Sequence, residues 1–228
     1  EKLSPTARKF TDVDMYYDVY NTGMQVDSSE NIQLYHKSKL VVGVEKMPYP
    51  HLFKFLENII FDLGGTTGSY ATQKERTTLN EPGGKAKIAT LICYESVYGE
   101  YVTRYIHNGA NIIFVITNDG WWGNTSGYKQ HLTYSSIRAI ETRRSIARSA
   151  NTGISCFINQ QGEIMQPTKW WMPDVIKSSL NLNEKITFYV KYGDFLGRIS
   201  DFFSIILLAY TLVNILIARK PGKSQPAH

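Results

Sequence analysis

Cysteine is scarce: two residues in 228, with no Cys-x-x-Cys pair and no metal-ligand spacing among five scattered histidines. That excludes a disulfide-stapled scaffold and gives no reason to expect a metal or a cofactor. Collagen-like and low-complexity readings fail as well, because 17 glycines and 8 prolines follow no fixed period. Nor is the chain short of apolar residues, at 43%, so it is not disordered. Neither sign of charge dominates: 25 Lys and Arg against 20 Asp and Glu leave +5. Such a balance suits a membrane-facing surface as well as it suits nucleic acid. What remains is one globular domain with room for something extra.

The extra segment stands near the C-terminus. Phe202 to Ala218 reads FFSIILLAYTLVNILIA without a charge, roughly 25 Å of helix at ~1.5 Å per residue. Its polar residues, Ser204, Thr211 and Asn214, fall on one narrow face. Asp201 closes one end, and Arg219, Lys220 and Lys223 close the other. Length and flanks predict a membrane helix over 196–220, a cytoplasmic tail over 221–228, and residues 1–195 across the bilayer. A buried core helix is the alternative. The sequence opens on Glu1 with no charged-then-apolar leader, so the chain reads as the C-terminal part of something longer.

Before that run, strands and helices alternate. Tyr16–Val26 and Ile32–Tyr35 flank a turn cluster and predict a hairpin. Residues 46–85, with Pro48, Pro50, Gly64-Gly65 and Pro82-Gly83-Gly84, predict loop around a short helix near 51–60. Lys87–Tyr94 and Asn111–Thr117 are buried strands, with a helix near 98–108 between them. A long helix is expected over 128–149, with Leu132, Ser136, Ala139, Ile140, Arg143 and Ala147 on its apolar face. Gly153–Asn159 is a further strand, turned by Gln160-Gln161-Gly162 into Glu163–Gln166. Continuous apolar strands spaced by helices predict an α/β fold, its sheets covered by helices on a face.

Cys93 ends a buried strand just before a helix, where a nucleophile would project from the sheet edge. A small core residue is the competing reading. Cys156, inside GISCFI, reads as core. Lys37 follows a strand and could depress a thiol pKa or hold an oxyanion, or could decorate an exposed hairpin edge. Asn118, Trp121 and Trp122 lie in a loop after a strand, where tryptophan offers an apolar face to an acyl chain, unless the loop tucks back on the core. Arg138, Glu141 and Arg144, at i, i+3 and i+6, read as a solvated ion-pair face. Arg143 on the apolar stripe is the odd one out.

Four segments, YHKSKLVVGVE, LICYE, ITNDGWWGNTSGYKQH and RAIETRRSIARSANTG, occur in the order expected of the nitrilase superfamily. The chain resembles in particular its membrane-anchored branch, the apolipoprotein N-acyltransferases, from about Tyr17 to Lys220. The resemblance implies a four-layer α-β-β-α sandwich, incomplete at its N-terminus over 1–195, followed by one membrane helix. It implies Lys37 and Cys93 as catalytic, Glu45, Tyr94 and Glu95 as supporting, and Asn118, Trp121 and Trp122 as substrate-binding residues, with no cofactor. The third catalytic residue of the family, a glutamate, has no match here and is expected upstream, so the chain alone is expected to be inactive.

By the same resemblance the reaction is acyl transfer from a phospholipid to a diacylglyceryl-modified apolipoprotein, with no nucleic-acid partner. It is placed at the bacterial inner membrane, on the periplasmic side. A nitrilase-like amidase and a catalytically silent binding module are the other readings. Thioester trapping on Cys93 separates them.

Overall fold

The computed structural model describes residues 3–46 and 69–218. The helix expected near 51–60 lies outside them. In chain order the elements are β1 (Arg8–Lys9), β2 (Tyr16–Tyr17), β3 (Thr22–Gln25), β4 (Gln33–His36), β5 (Leu79–Asn80) and β6 (Lys87–Ile92). After a single-turn 3-10 helix at Cys93–Val97 come α1 (Gly99–His107), β7 (Ile112–Asn118), α2 (Gly127–Thr142), β8 (Ile146–Asn151), β9 (Cys156–Ile158), β10 (Ile164–Met165), α3 (Phe188–Tyr192) and α4 (Phe195–Ala218).

Six strands form one mixed sheet in the order β10-β9-β8-β7-β6-β5. Its centre is parallel, β6 on β7 and β7 on β8, with antiparallel pairs at both margins. Strand sequence explains the burial. Ala89, Leu91, Ile113 and Val115 are sealed in the core with Tyr101, Val102, Tyr105 and Ile106 of α1 and with Leu132 and Ala139 of α2. The other face of β7 carries Phe114 and Ile116, 37% and 46% exposed. The β3–β4 hairpin lies against part of this face. A Cβ added to Gly23 would come within 2.8 Å of Thr90 Cγ2, so only glycine allows this approach.

The hairpin is shorter than expected. Thr22–Gln25 pairs with Gln33–His36, whereas Tyr16 and Tyr17 pair with Lys9 and Arg8. A larger correction concerns 128–149, which is not one helix. Arg143 turns left-handed, φ 51°, and the chain re-enters the sheet as β8, registered on β7 from Ile113↔Ile146 to Asn118↔Asn151. Ladder hydrogen bonds along a buried parallel strand outweigh modest helix propensity. Ala147 is therefore a strand residue, while Ile140 and Arg143 face solvent. The stripe that α2 buries is Tyr128, His131, Leu132, Ser135, Arg138, Ala139 and Thr142.

The supposed solvated ion-pair face is also corrected. Arg138 is buried, donating to Val97 O at 2.8 Å and to Glu141 Oε1 at 2.9 Å. Arg144 lies beyond the helix, sealed among the carbonyls of Ala110, Thr142 and Lys185, and burial lowers its guanidinium to about 10 against the opposing charge of Glu184.

Residues from Tyr192 onward form a unit of their own. Its helix α4 begins seven residues before the uncharged run and has 24 residues, about 36 Å at ~1.5 Å per residue. It is long and apolar enough to cross a membrane, with a mean hydropathy of 2.0 over 18 of its residues and no buried residue.

Candidate active site

The carboxyl ends of the parallel pair β6 and β7 open on one cleft, the place where parallel α/β sheets commonly carry their ligands. Its volume is about 540 Å³, and its walls include Lys37, Glu45, Cys93, Tyr94, Asn118, Trp121, Trp122 and His131. Seven of the eight site residues read from the sequence thus meet in one cavity. Glu95 is the exception, and its role differs accordingly.

Cys93 follows β6 directly and is half-buried. Its φ of 54° is left-handed, a conformation that costs a non-glycine residue about 1–3 kcal/mol and persists only where neighbours hold it. Cys156, by contrast, is fully buried in the core. Desolvation raises its thiol to about 11, despite the opposing charge of Arg148.

Lys37 is not edge decoration: it is 1% exposed. Its Nζ donates to both Glu45 oxygens, at 2.8 and 2.7 Å. Glu45 also accepts from Asn21 Nδ2 at 2.9 Å and from Val41 N–H at 2.8 Å. A buried ammonium held by a carboxylate with saturated lone pairs is a fixed positive charge on the wall of the cleft that Cys93 also lines, suited to a developing oxyanion.

Glu95 is 0% exposed and lines no part of the cleft. One oxygen accepts from Ser38 N–H, Lys39 N–H, Tyr35 OH and Tyr101 OH, at 2.7, 3.1, 2.7 and 2.6 Å. The other accepts from Ile92 N–H at 2.9 Å. It thereby ties the chain just after Lys37 to the residue just before Cys93. Burial, followed by the charge of Glu95, pushes the Tyr35 hydroxyl up to about 12, and Tyr101 is raised further by the same causes. Both phenols are neutral donors to the carboxylate.

The aromatic loop does not tuck away. Trp121 is 56% exposed and Trp122 packs against Gly127, where a Cβ would lie 2.5 Å from its ring. A second pair adjoins it. Trp170 stacks on Tyr128 with ring centroids 5.4 Å apart, and Trp171 comes within 3.7 Å of where a Gly120 Cβ would stand. All four tryptophans of the chain gather at this end of the sheet.

Sequence reasoning missed one group. His131 of α2 places Nδ1 2.8 Å from Asp119 Oδ1, and Nε2 3.1 Å from Ser96 Oγ and 3.2 Å from Cys93 O. Asp119 also accepts from Arg148 Nη2 at 2.7 Å and from Thr117 Oγ1 at 3.0 Å. Burial raises the Asp119 pKa, but His131, Arg148 and Thr117 outweigh it and leave the carboxyl below its usual range. The spacing Asp119…His131, across a loop and one helical turn, carries no local signal. Among the described residues no cluster of His, Cys, Asp and Glu could hold a metal ion.

Residues 8–187 match the carbon-nitrogen hydrolase family. The chain is 34% identical over 187 residues to an apolipoprotein N-acyltransferase of Chlorobaculum tepidum, covering 80% of this chain and 35% of that protein. To the apolipoprotein N-acyltransferase of Thermotoga maritima it is 28% identical, covering 90% of this chain and 38% of that protein. The chain therefore spans little more than a third of the length of these curated relatives. Among solved structures, the glutamine-dependent NAD+ synthetase of Acinetobacter baumannii superposes with a TM-score of 0.50 at 15% identity, over 74% of this chain and 29% of that one, a likeness of fold alone. With the match running through the hairpin, Lys37, the Cys93 turn and the tryptophan loop, the chain belongs to the carbon-nitrogen hydrolase family, with a nitrilase-type α/β fold.

Proposed function

We propose that the chain serves acyl transfer from a membrane phospholipid, through a Cys93 thioester, to the N-terminal amine of a diacylglyceryl-modified apolipoprotein. The observation that carries the reading is the joint placement of Lys37, Cys93, Trp121 and Trp122 on one cleft. Relatives named apolipoprotein N-acyltransferase support an apolipoprotein acceptor, and the family resemblance implies the phospholipid donor.

In the first half-reaction the Cys93 sulfur attacks the ester carbonyl and the C=O pair moves to oxygen, beside Lys37. Collapse forms the thioester, breaks the C–O bond and sends the thiol proton out with the lysophospholipid alcohol. In the second, the lipoprotein amine attacks the thioester. The C–N bond forms, the C–S bond breaks, and the amine proton returns to sulfur. A general acid–base must carry these protons, and the family resemblance implies that it is a carboxylate. Glu45 is bound to Lys37, and Glu95 is sealed from the cleft, so this work falls to the glutamate that the family resemblance places upstream.

Tyr94 and the tryptophans supply apolar wall for the acyl chain. Helix α4, spanning the bacterial inner membrane, would hold the cleft on the periplasmic side, where both lipid substrates reside.

Intact-mass measurement on the chain joined to its upstream segment, after incubation with phospholipid vesicles, tests the reading. An adduct equal to the acyl chain, lost in Cys93→Ser and released by a lipopeptide amine, is the expected result. An adduct from small amides but none from phospholipid would make the protein an amidase instead. No adduct from either would favour the binding module.

A further inference from the structure

We propose that His131 is a positioning residue for acyl transfer: by holding the Cys93 carbonyl inward, it aims the Tyr94 N–H at the oxyanion. This rests on the reading of Cys93 as the acyl acceptor. The Cys93 carbonyl meets two groups from the protein interior, Ser96 Oγ at 3.0 Å and His131 Nε2 at 3.2 Å. That oxygen belongs to the peptide joining Cys93 to Tyr94. In a planar trans peptide the N–H points opposite to the C=O, so an oxygen drawn toward His131 sends the Tyr94 N–H the other way. Tyr94 stands in the first turn of its 3-10 helix, where an N–H has no acceptor within the helix. Cys93, Tyr94 and Lys37 all line the cleft. The N–H and the Lys37 ammonium then form a pair of donors for one oxygen.

His131 can do this because it cannot move. It is 3% exposed, and Asp119 fixes its far nitrogen. Asp119 is fixed in turn by Arg148, which also donates to Ser135 Oγ on α2 at 3.1 Å. Gly153 closes the loop behind it, where a Cβ would stand 2.6 Å from Asp119 Oδ2. The chain of contacts runs from β8 through the β7 loop and α2 to the nucleophile's own carbonyl. It also accounts for the left-handed φ of Cys93, a strained state held by its surroundings.

The test compares His131→Ala, His131→Asn and His131→Gln in the full chain with its upstream segment. A Gln amide nitrogen reaches the place of Nε2, and an Asn amide nitrogen that of Nδ1. Two rates are measured at Cys93: acylation by a p-nitrophenyl ester, and alkylation by iodoacetamide, with buried Cys156 as internal control. Alkylation builds no oxyanion. Acylation should slow about 10- to 100-fold in His131→Ala and His131→Asn, a loss below the ~10²–10³ of a deleted oxyanion donor. It should recover to within about fivefold of wild type in His131→Gln, with alkylation unchanged throughout.

Acylation within twofold of wild type in His131→Ala would overturn the proposal. So would equal losses in the Asn and Gln variants, or alkylation that falls in step with acylation. A wild-type chain acylated by the nitrophenyl ester but never by phospholipid would sink the proposed function and leave His131 standing. One acylated by neither would overturn both.

Discussion

Ser38 and Ile92 lie more than fifty residues apart, yet their N–H groups end on the two oxygens of one carboxylate, Glu95. A carboxylate so enclosed is a strut between the lysine loop and the cysteine turn. Replacing it with alanine strands several buried donors, each worth about 1–3 kcal/mol. Glu95→Ala should lower the thermal midpoint by many degrees, and Glu95→Gln, which keeps one acceptor oxygen, by less. If instead Glu95→Ala melts like wild type while activity vanishes, Glu95 acts as an acid or base.

The two cysteines should separate cleanly. Cys93→Ser is expected to abolish adduct formation with little change in stability. Cys156→Ser, which buries a hydroxyl in the core, should cost about 1–3 kcal/mol and leave the adduct intact. Chemical denaturation and intact mass on both variants check this, and the reverse pattern would exchange their roles.

Lys37→Ala should slow acylation ~10²–10³-fold, the usual loss of one oxyanion donor. Glu45→Ala leaves a buried ammonium without its carboxylate, which should destabilise the fold by about 3–5 kcal/mol. A Lys37→Ala protein acylated within a few-fold of wild type would remove the lysine from the chemistry.

Asp119 makes stability depend on acid. Its folded pKa lies below the ordinary value of 3.8, so in the window between the two the unfolded chain binds more protons than the native one. Its contribution is fully present above that value and is lost as pH falls through the folded pKa. Urea midpoints from pH 2 to 7 should fall less steeply at the acid end for Asp119→Asn than for wild type. Parallel curves would refute the assignment.

For α4, an arginine at its centre should disfavour insertion by about 2.5–3.5 kcal/mol. Leu208→Arg is therefore expected to reduce the fraction that resists carbonate extraction from membranes. An unchanged fraction would mean that the helix does not cross the bilayer.

Much of the site could be read along the chain because its residues stand at strand ends, and strand ends are local features. KIATLIC is apolar up to the residue before Cys93, and NIIFVIT stops at Asn118. Partnerships were not legible. Along the chain alone Lys37 reads as either an oxyanion holder or edge decoration, because burial of an ammonium depends on Glu45 folding back across a loop. His131 passed unnoticed because Asp119 and the Cys93 carbonyl reach it only in three dimensions. The boundary at Arg143 was missed for a related reason: RSIARSAN has no strong preference of its own, and β7 decides that it becomes a strand. The resemblance implies a supporting role for Glu95, but that its side chain turns inward from a 3-10 turn, sealed from the cleft, is a feature of the fold.

The gathering of every tryptophan at one end of the sheet gives this chain an optical property. Ultraviolet emission excited at tryptophan wavelengths comes from one neighbourhood, with no indole elsewhere in the 228 residues to dilute it. A hydrocarbon chain entering beside Trp121 and Trp122 would shift that emission to the blue, and a departing one would let it relax. Arrival and departure could then be followed in real time without attaching a dye.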